Sequence, residues 1–169
     1  MFKLSGAVLI LLACMIGGRM MASRLQRRCR VLFGLQQGLL SLSGQIGYSS
    51  LPLAQAMTAA AAAAGTAAPI FAATAEELAH PQGRTAGEIW QDRLALADAV
   101  LTEADQEVLL SLGAELGLTG REEQLQRLEL VRLRLAELEQ EAKEAKNDFG
   151  KLWKSLGVGV GVITILLFL

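Results

Sequence analysis

The sequence predicts an all-α protein: an antiparallel bundle of about six helices, flanked by N- and C-terminal transmembrane helices. Three observations carry this expectation. Val, Ile and Thr are too few and too scattered to write the period-two alternation of a strand. Leucines recur instead at steps of three and four, the mark of a helix with one apolar face. The 169-residue chain also starts and finishes on uncharged apolar runs, each with cations on its inner side. The expected division is a membrane helix over 1–22, a helical bundle over 23–151 and a second membrane helix over 152–169.

The first run, Leu4 to Gly18, is followed by Arg19, Arg24, Arg27, Arg28 and Arg30. Clusters of this kind stay cytoplasmic and are attracted to anionic lipid, so these five arginines are expected beside the membrane, with Met1 outside. Two processing alternatives compete. The run could be a signal peptide, and "LLAC" (Leu11 to Cys14) looks like a lipoprotein cleavage box. The apolar stretch continues past Cys14, however, and dense arginines downstream oppose export. Cys14 and Cys29 would then lie at different depths, which implies no disulfide framework.

Beyond the arginines, Leu32, Leu35, Leu39, Leu42 and Ile46 form an apolar seam on one helix face. Gly34 and Gly38 lie on another face, where a pair four residues apart can admit a neighbouring backbone. Ser49, Ser50 and Pro52 stop this helix and start the next, which runs through the alanines to Gly65. A short helix is expected from Pro69 to about Ala79, ended by "HPQG" (His80 to Gly83). The next three helix starts share one device. Thr85 with Glu88, Thr102 with Asp105 and Thr119 with Glu122 each set a hydroxyl at the cap and an acid three residues on.

The last soluble stretch is the most regular. Leu128, Val131, Leu135, Leu138, Ala142, Ala145, Phe149 and Leu152 alternate steps of three and four, a heptad seam that runs into the terminal apolar segment. The reading is one continuous helix of about fifty residues from Gly120 onward, roughly 75 Å long. Its seam needs a partner, either the first long helix in cis or another subunit. Packing in cis is favoured, because the first long helix has a seam of the same spacing and also leads into a membrane span. Trp153 and Lys154 suit the headgroup region, so the second membrane helix is expected to begin near Leu152. Gly157 and Gly161 would be its helix-packing face in lipid.

Charge is sorted along the chain. The overall balance of −1 divides into +1 from Lys3, +5 over Arg19 to Arg30, nothing over the forty-five residues from Val31 to Ala75, and −7 from Glu76 to Lys154. An acidic distal half without a basic face argues against nucleic-acid binding, which draws its affinity from phosphate neutralisation. The uncharged block suits helices packed on each other and on a partner, with Gln36 and Gln55 as partner-facing candidates. Its alternative reading is a merely alanine-rich bundle. The acids Glu137, Glu139, Glu141 and Glu144 interleave with Lys143 and Lys146 and read as a solvated face.

No catalytic, cofactor-binding or metal site is expected. A metal or nucleophile centre needs several converging His, Cys, Asp or Glu groups, and the one histidine, His80, stands in a proline-bounded turn. There is no phosphate-binding loop either, since the glycines at 157, 159 and 161 lie in the apolar tail.

Several stretches taken together carry a family resemblance. They are the N-terminal span with its arginines, then "GLQQGLLSLSGQIGYSSLPLAQAM", then "GRTAGEIWQDRL", "LGAELGLTGREEQLQRLEL" and "KLWKSLGVGVGVITILLFL". In order and spacing these resemble the stage III sporulation protein AB family, whose leucine-rich helix, Ile-x-Tyr turn and Pro-Leu restart the first of the quoted segments matches. One departure is Gln45, where the family usually places an acid. The resemblance implies a non-enzymatic scaffold in the channel complex that joins mother cell and forespore during endospore formation. It implies a soluble part similar to the cytoplasmic domain of the type II secretion F protein, a platform for a secretion-type ATPase. The implied partners are membrane lipid, other stage III sporulation channel proteins and that ATPase, with self-association into a homo-oligomer left open. The implied location is the mother-cell-derived membrane around the forespore, with the bundle in the cytoplasm. The alternative is a generic membrane-anchored helical adaptor, or a lipoprotein of another pathway.

Overall fold

The leucine seam after the arginines forms the buried face of α1 (Phe2–Tyr48), the first of six α-helices among the described residues of this computed structural model. The others are α2 (Leu53–Ala63), α3 (Ala68–Ala79), α4 (Ala86–Leu94), α5 (Glu103–Gly113) and α6 (Arg121–Phe168). Short 3-10 turns at Gly65–Ala67 and Ala95–Ala97 complete the order. The structure describes the backbone of residues 2–48, 51–97, 99–114, 116–117 and 120–168, and their side chains between 17 and 151. The chain divides into two units, Arg28–Gln140 and the paired segments Met1–Arg27 and Glu141–Leu169.

Within Arg28–Gln140 successive helices pack as neighbours, α2 on α3, α3 on α4 and α4 on α5. α1 and α6 run antiparallel, since the Gln36 side chain meets Glu139 while Gly47 faces Leu125 further along. Leu32, Leu35, Leu39 and Leu42 of α1 are fully buried, as are Met57, Phe71, Ile89, Trp90, Leu109 and Leu135. Removing side chains of this size from water contributes about 1.5–3 kcal/mol each. Trp90 also donates from Nε1 to the Leu109 carbonyl at 2.9 Å, and its ring centroid stands 5.5 Å from that of Phe71.

The close approach expected of small residues is visible on α1. A β carbon on Gly34 would stand 2.2 Å from the Ala64 carbonyl oxygen, and one on Gly38 would stand 2.5 Å from the Phe71 ring. The turn after the alanine-rich α2 and the Phe71 ring of α3 therefore lie against bare α1 backbone.

Two helix starts take the form their sequence predicts. Thr85 accepts from the Glu88 amide while Glu88 accepts from the Thr85 amide, and Thr102 with Asp105 repeats the exchange. The third pair involves Thr119, which lies outside the described residues. Between α3 and α4 the chain reverses through Pro81 to Arg84, closed by an Arg84 N–H donating to the Pro81 carbonyl at 2.8 Å. Both inner residues have positive φ, +46° at Gln82 and +84° at Gly83. Glycine adopts this conformation freely, and glutamine does so only under steric cost.

In the other unit, residues 2–27 and 141–168 are helical. Ala142 is buried there, Phe149 is half-buried and Ala145 is exposed, so the heptad seam loosens after Ala142. Among the described residues no helix is long and apolar enough to cross a membrane. The expected spans over 1–22 and 152–169, with Cys14, Gly157 and Gly161, fall mostly on residues whose side chains lie outside the described ones.

Candidate functional site

Among the described residues no group of three or more His, Cys, Asp or Glu side chains could hold a metal ion. His80 is exposed at the C-cap of α3. The informative features are two polar ties buried in the bundle and two open grooves on its surface.

The first tie joins the start of the bundle segment of α1 to the N-terminus of α5. Arg28 donates from Nε to Asp105 Oδ2 and from Nη2 to Oδ1, both at 2.8 Å. Asp105 is fully buried, and its Oδ2 also accepts the Thr102 amide at 2.9 Å as part of the helix cap. Burial pushes this carboxyl up, but the hydrogen bonds from Arg28 and from Thr102 outweigh it and hold the group below the usual carboxylate range. Arg28, one of the five arginines expected beside the membrane, therefore has its guanidinium engaged within the bundle. Arg19, Arg24, Arg27 and Arg30 are exposed.

The second tie joins α1 to α6. Gln36 Nε2 donates to Glu139 Oε2 at 2.9 Å and to the Leu32 carbonyl at 3.3 Å, and both side chains are buried. This corrects two expectations. Gln36 does not face a partner, because it spans the α1–α6 seam; Gln55 is exposed on α2. Glu139 is not part of a solvated face, whereas Glu137, Glu141 and Glu144 are exposed. Around this tie Leu128, Val131, Leu135 and Leu138 of α6 are all buried. Gln45 is half-buried on the last turns of α1.

On the surface, α3, α4 and the turn between them carry an ion network that sequence spacing did not signal. Glu77 accepts from both Arg84 and Arg93, and Arg84 also reaches Asp92. The Asp92 carboxylate, with help from Glu77, holds the Arg84 guanidinium further into its charged range. An open groove of about 440 Å³ beside it is lined by Glu76, Glu77, His80, Arg84 and Arg93. Solvent screens exposed pairs of this kind, so the network orders the turn more than it stabilises the fold. The second groove, about 260 Å³, lies between α4 and α5 and is bordered by Glu88, Gln91, Leu110 and Ala114.

Among the described residues the bundle thus presents two buried polar ties between helices and two open surface grooves. The model of the family described as stage III sporulation protein AB matches residues 3–169. A curated relative, the stage III sporulation protein AB of Bacillus subtilis (strain 168), is 33% identical over 174 residues and covers the whole of both chains. A solved structure of a stage III sporulation protein AB superposes with a TM-score of 0.64 at 26% identity, covering 72% of this chain and 98% of that one. An all-helical fold, an end-to-end family match and a full-length relative together mean that the chain belongs to the stage III sporulation protein AB family.

Proposed function

We propose that this protein is a two-span membrane scaffold of the channel between mother cell and forespore, with its helical bundle in the mother-cell cytoplasm and no enzymatic activity of its own. One observation carries the reading. α1 and α6 are each single helices that begin or end in the apolar terminal segments and also supply the buried seam of the bundle. In such a design a displacement imposed on the bundle passes along helix backbone to the bilayer without crossing a flexible loop. The Arg28–Asp105 and Gln36–Glu139 ties support this by fixing α1 to α5 and to α6. The partners are the other stage III channel proteins and a cytoplasmic secretion-type ATPase, with Lys154 and the exposed arginines beside anionic lipid.

The test is cytological. In a strain lacking the gene, starvation should allow engulfment of the forespore and then arrest development with late forespore transcription lost; normal spores would sink the reading. Topology has its own check. Cys29, a free and half-buried thiol, should be labelled by an impermeant maleimide only after lysis, and labelling in intact cells would indicate export. A Gly-Pro insertion near Ala142 should abolish complementation while the protein remains in the membrane fraction, because it interrupts α6.

A further inference from the structure

The groove between α4 and α5 has a floor made of backbone. A β carbon on Gly87 would stand 2.3 Å from the Gly113 carbonyl oxygen, so the helices touch there and leave a trough between Glu88 and Gln91 on one wall and Leu110 and Ala114 on the other. Leu110 is 39% exposed into it. An apolar side chain at the rim of a trough gains from being covered.

Charge decides what covers it. From Leu94 to Gly120 there is no Lys or Arg, while Asp98, Glu103, Asp105, Glu107 and Glu115 are all acidic. Asp105 is taken up by Arg28. Glu103 and Glu107 are exposed on α5, seven and three residues before Leu110 and so on its face. Glu88, on the opposite wall, is held below the usual carboxylate range by the Thr85 amide and hydroxyl and therefore stays ionised. An anionic lipid surface or an acidic segment meets like charge here. A second copy would bring acid against acid across a two-fold contact.

We propose that the α4–α5 groove docks a cationic amphipathic segment of a partner protein, with an apolar side chain over Leu110 and the Gly87–Gly113 floor and Lys or Arg groups reaching Glu88 and Glu107. This deepens the scaffold reading, on which it rests for the existence of a partner, by naming the chemistry of one docking segment.

The probe is a fluorescein-labelled fourteen-residue helical peptide of Leu and Lys, titrated onto the full chain in zwitterionic phosphatidylcholine nanodiscs, with empty discs subtracted and a Leu/Glu peptide as control. The Lys peptide should bind saturably and weaken as salt rises. The exposed pair Gln91→Lys and Glu107→Lys should weaken it about tenfold or more without changing the circular dichroism spectrum, and Leu110→Ser should weaken it independently of salt. If the double variant loses helix, Gln91→Lys alone makes the same comparison. Equal binding of both peptides, or binding indifferent to the charge variants, overturns the proposal. So does a disulfide dimer formed by Leu110→Cys in a Cys14→Ser, Cys29→Ser background, which would make the occupant a second copy. The two readings fail separately: normal sporulation of the deletion strain removes the scaffold role, and an arrested strain whose protein ignores the Lys peptide removes only the groove.

Discussion

The guanidinium of Arg28 and the carboxylate of Asp105, seventy-seven residues apart, form a two-pronged ion pair with both N···O distances at 2.8 Å and the carboxylate wholly out of solvent. A buried charge stripped of its counter-ion is costly, on the order of 3–5 kcal/mol. Arg28→Leu should therefore lower unfolding stability by about that amount in urea titrations. Arg28→Lys should restore only part of it, since a lysine cannot make the planar two-pronged contact.

The same pair sets a response to acid. Asp105 has a folded-state pKa below its unfolded value, so its contribution is fully present above the unfolded pKa, about 3.9, and is lost as pH falls through the folded one. Stability of the wild type should drop more steeply than that of Asp105→Asn as pH is lowered below about 4. Parallel curves in melts between pH 6 and pH 3 would contradict the role assigned to this carboxylate.

Glycines on α1 should separate by location rather than by helix propensity. Gly34→Ala forces a β carbon against the Ala64 carbonyl and should cost about 1–3 kcal/mol. Gly44 has nothing within 4 Å of its β-carbon position, so Gly44→Ala should raise stability by up to about 1 kcal/mol. Thermal melts of the two variants should shift in opposite directions.

Gln36 and Glu139 should behave as a coupled pair. Gln36→Leu removes a donor from a buried carboxylate and should cost about 1–3 kcal/mol. Adding Glu139→Leu should recover part of that loss, giving a double-mutant coupling of at least about 0.5 kcal/mol. Strict additivity would mean that the contact is incidental.

What the sequence made legible was local. The caps at Thr85 and Thr102 could be read because each joins groups three residues apart, and the seam from Leu32 to Leu42 because periodicity alone sets a helix face. The ties were not legible for the opposite reason. Arg28 stands among four other arginines, and nothing near it in sequence distinguishes it; its partner is fixed only when α5 folds onto α1. Asp105 was read correctly as a cap, yet its second role is invisible at a spacing of three. Gln36 and Glu139 each flank an apolar seam, where one-dimensional periodicity assigns a polar residue to solvent. Two such flanks facing each other across a helix pair can satisfy one another instead.

The notch at Gly38 has a consequence for motion within Arg28–Gln140. The Phe71 ring sits where a side chain on α1 would be, with Leu35, Leu39 and Leu42 buried along the same helix. A screw slip of α1 by a single residue, about 1.5 Å along its axis with the turn of about 100° that goes with it, would bring a larger side chain toward the ring. The ring therefore acts as a pawl in a one-tooth gear: α1 and α3 share one register, and a tug on either is delivered to the other with no slack between them.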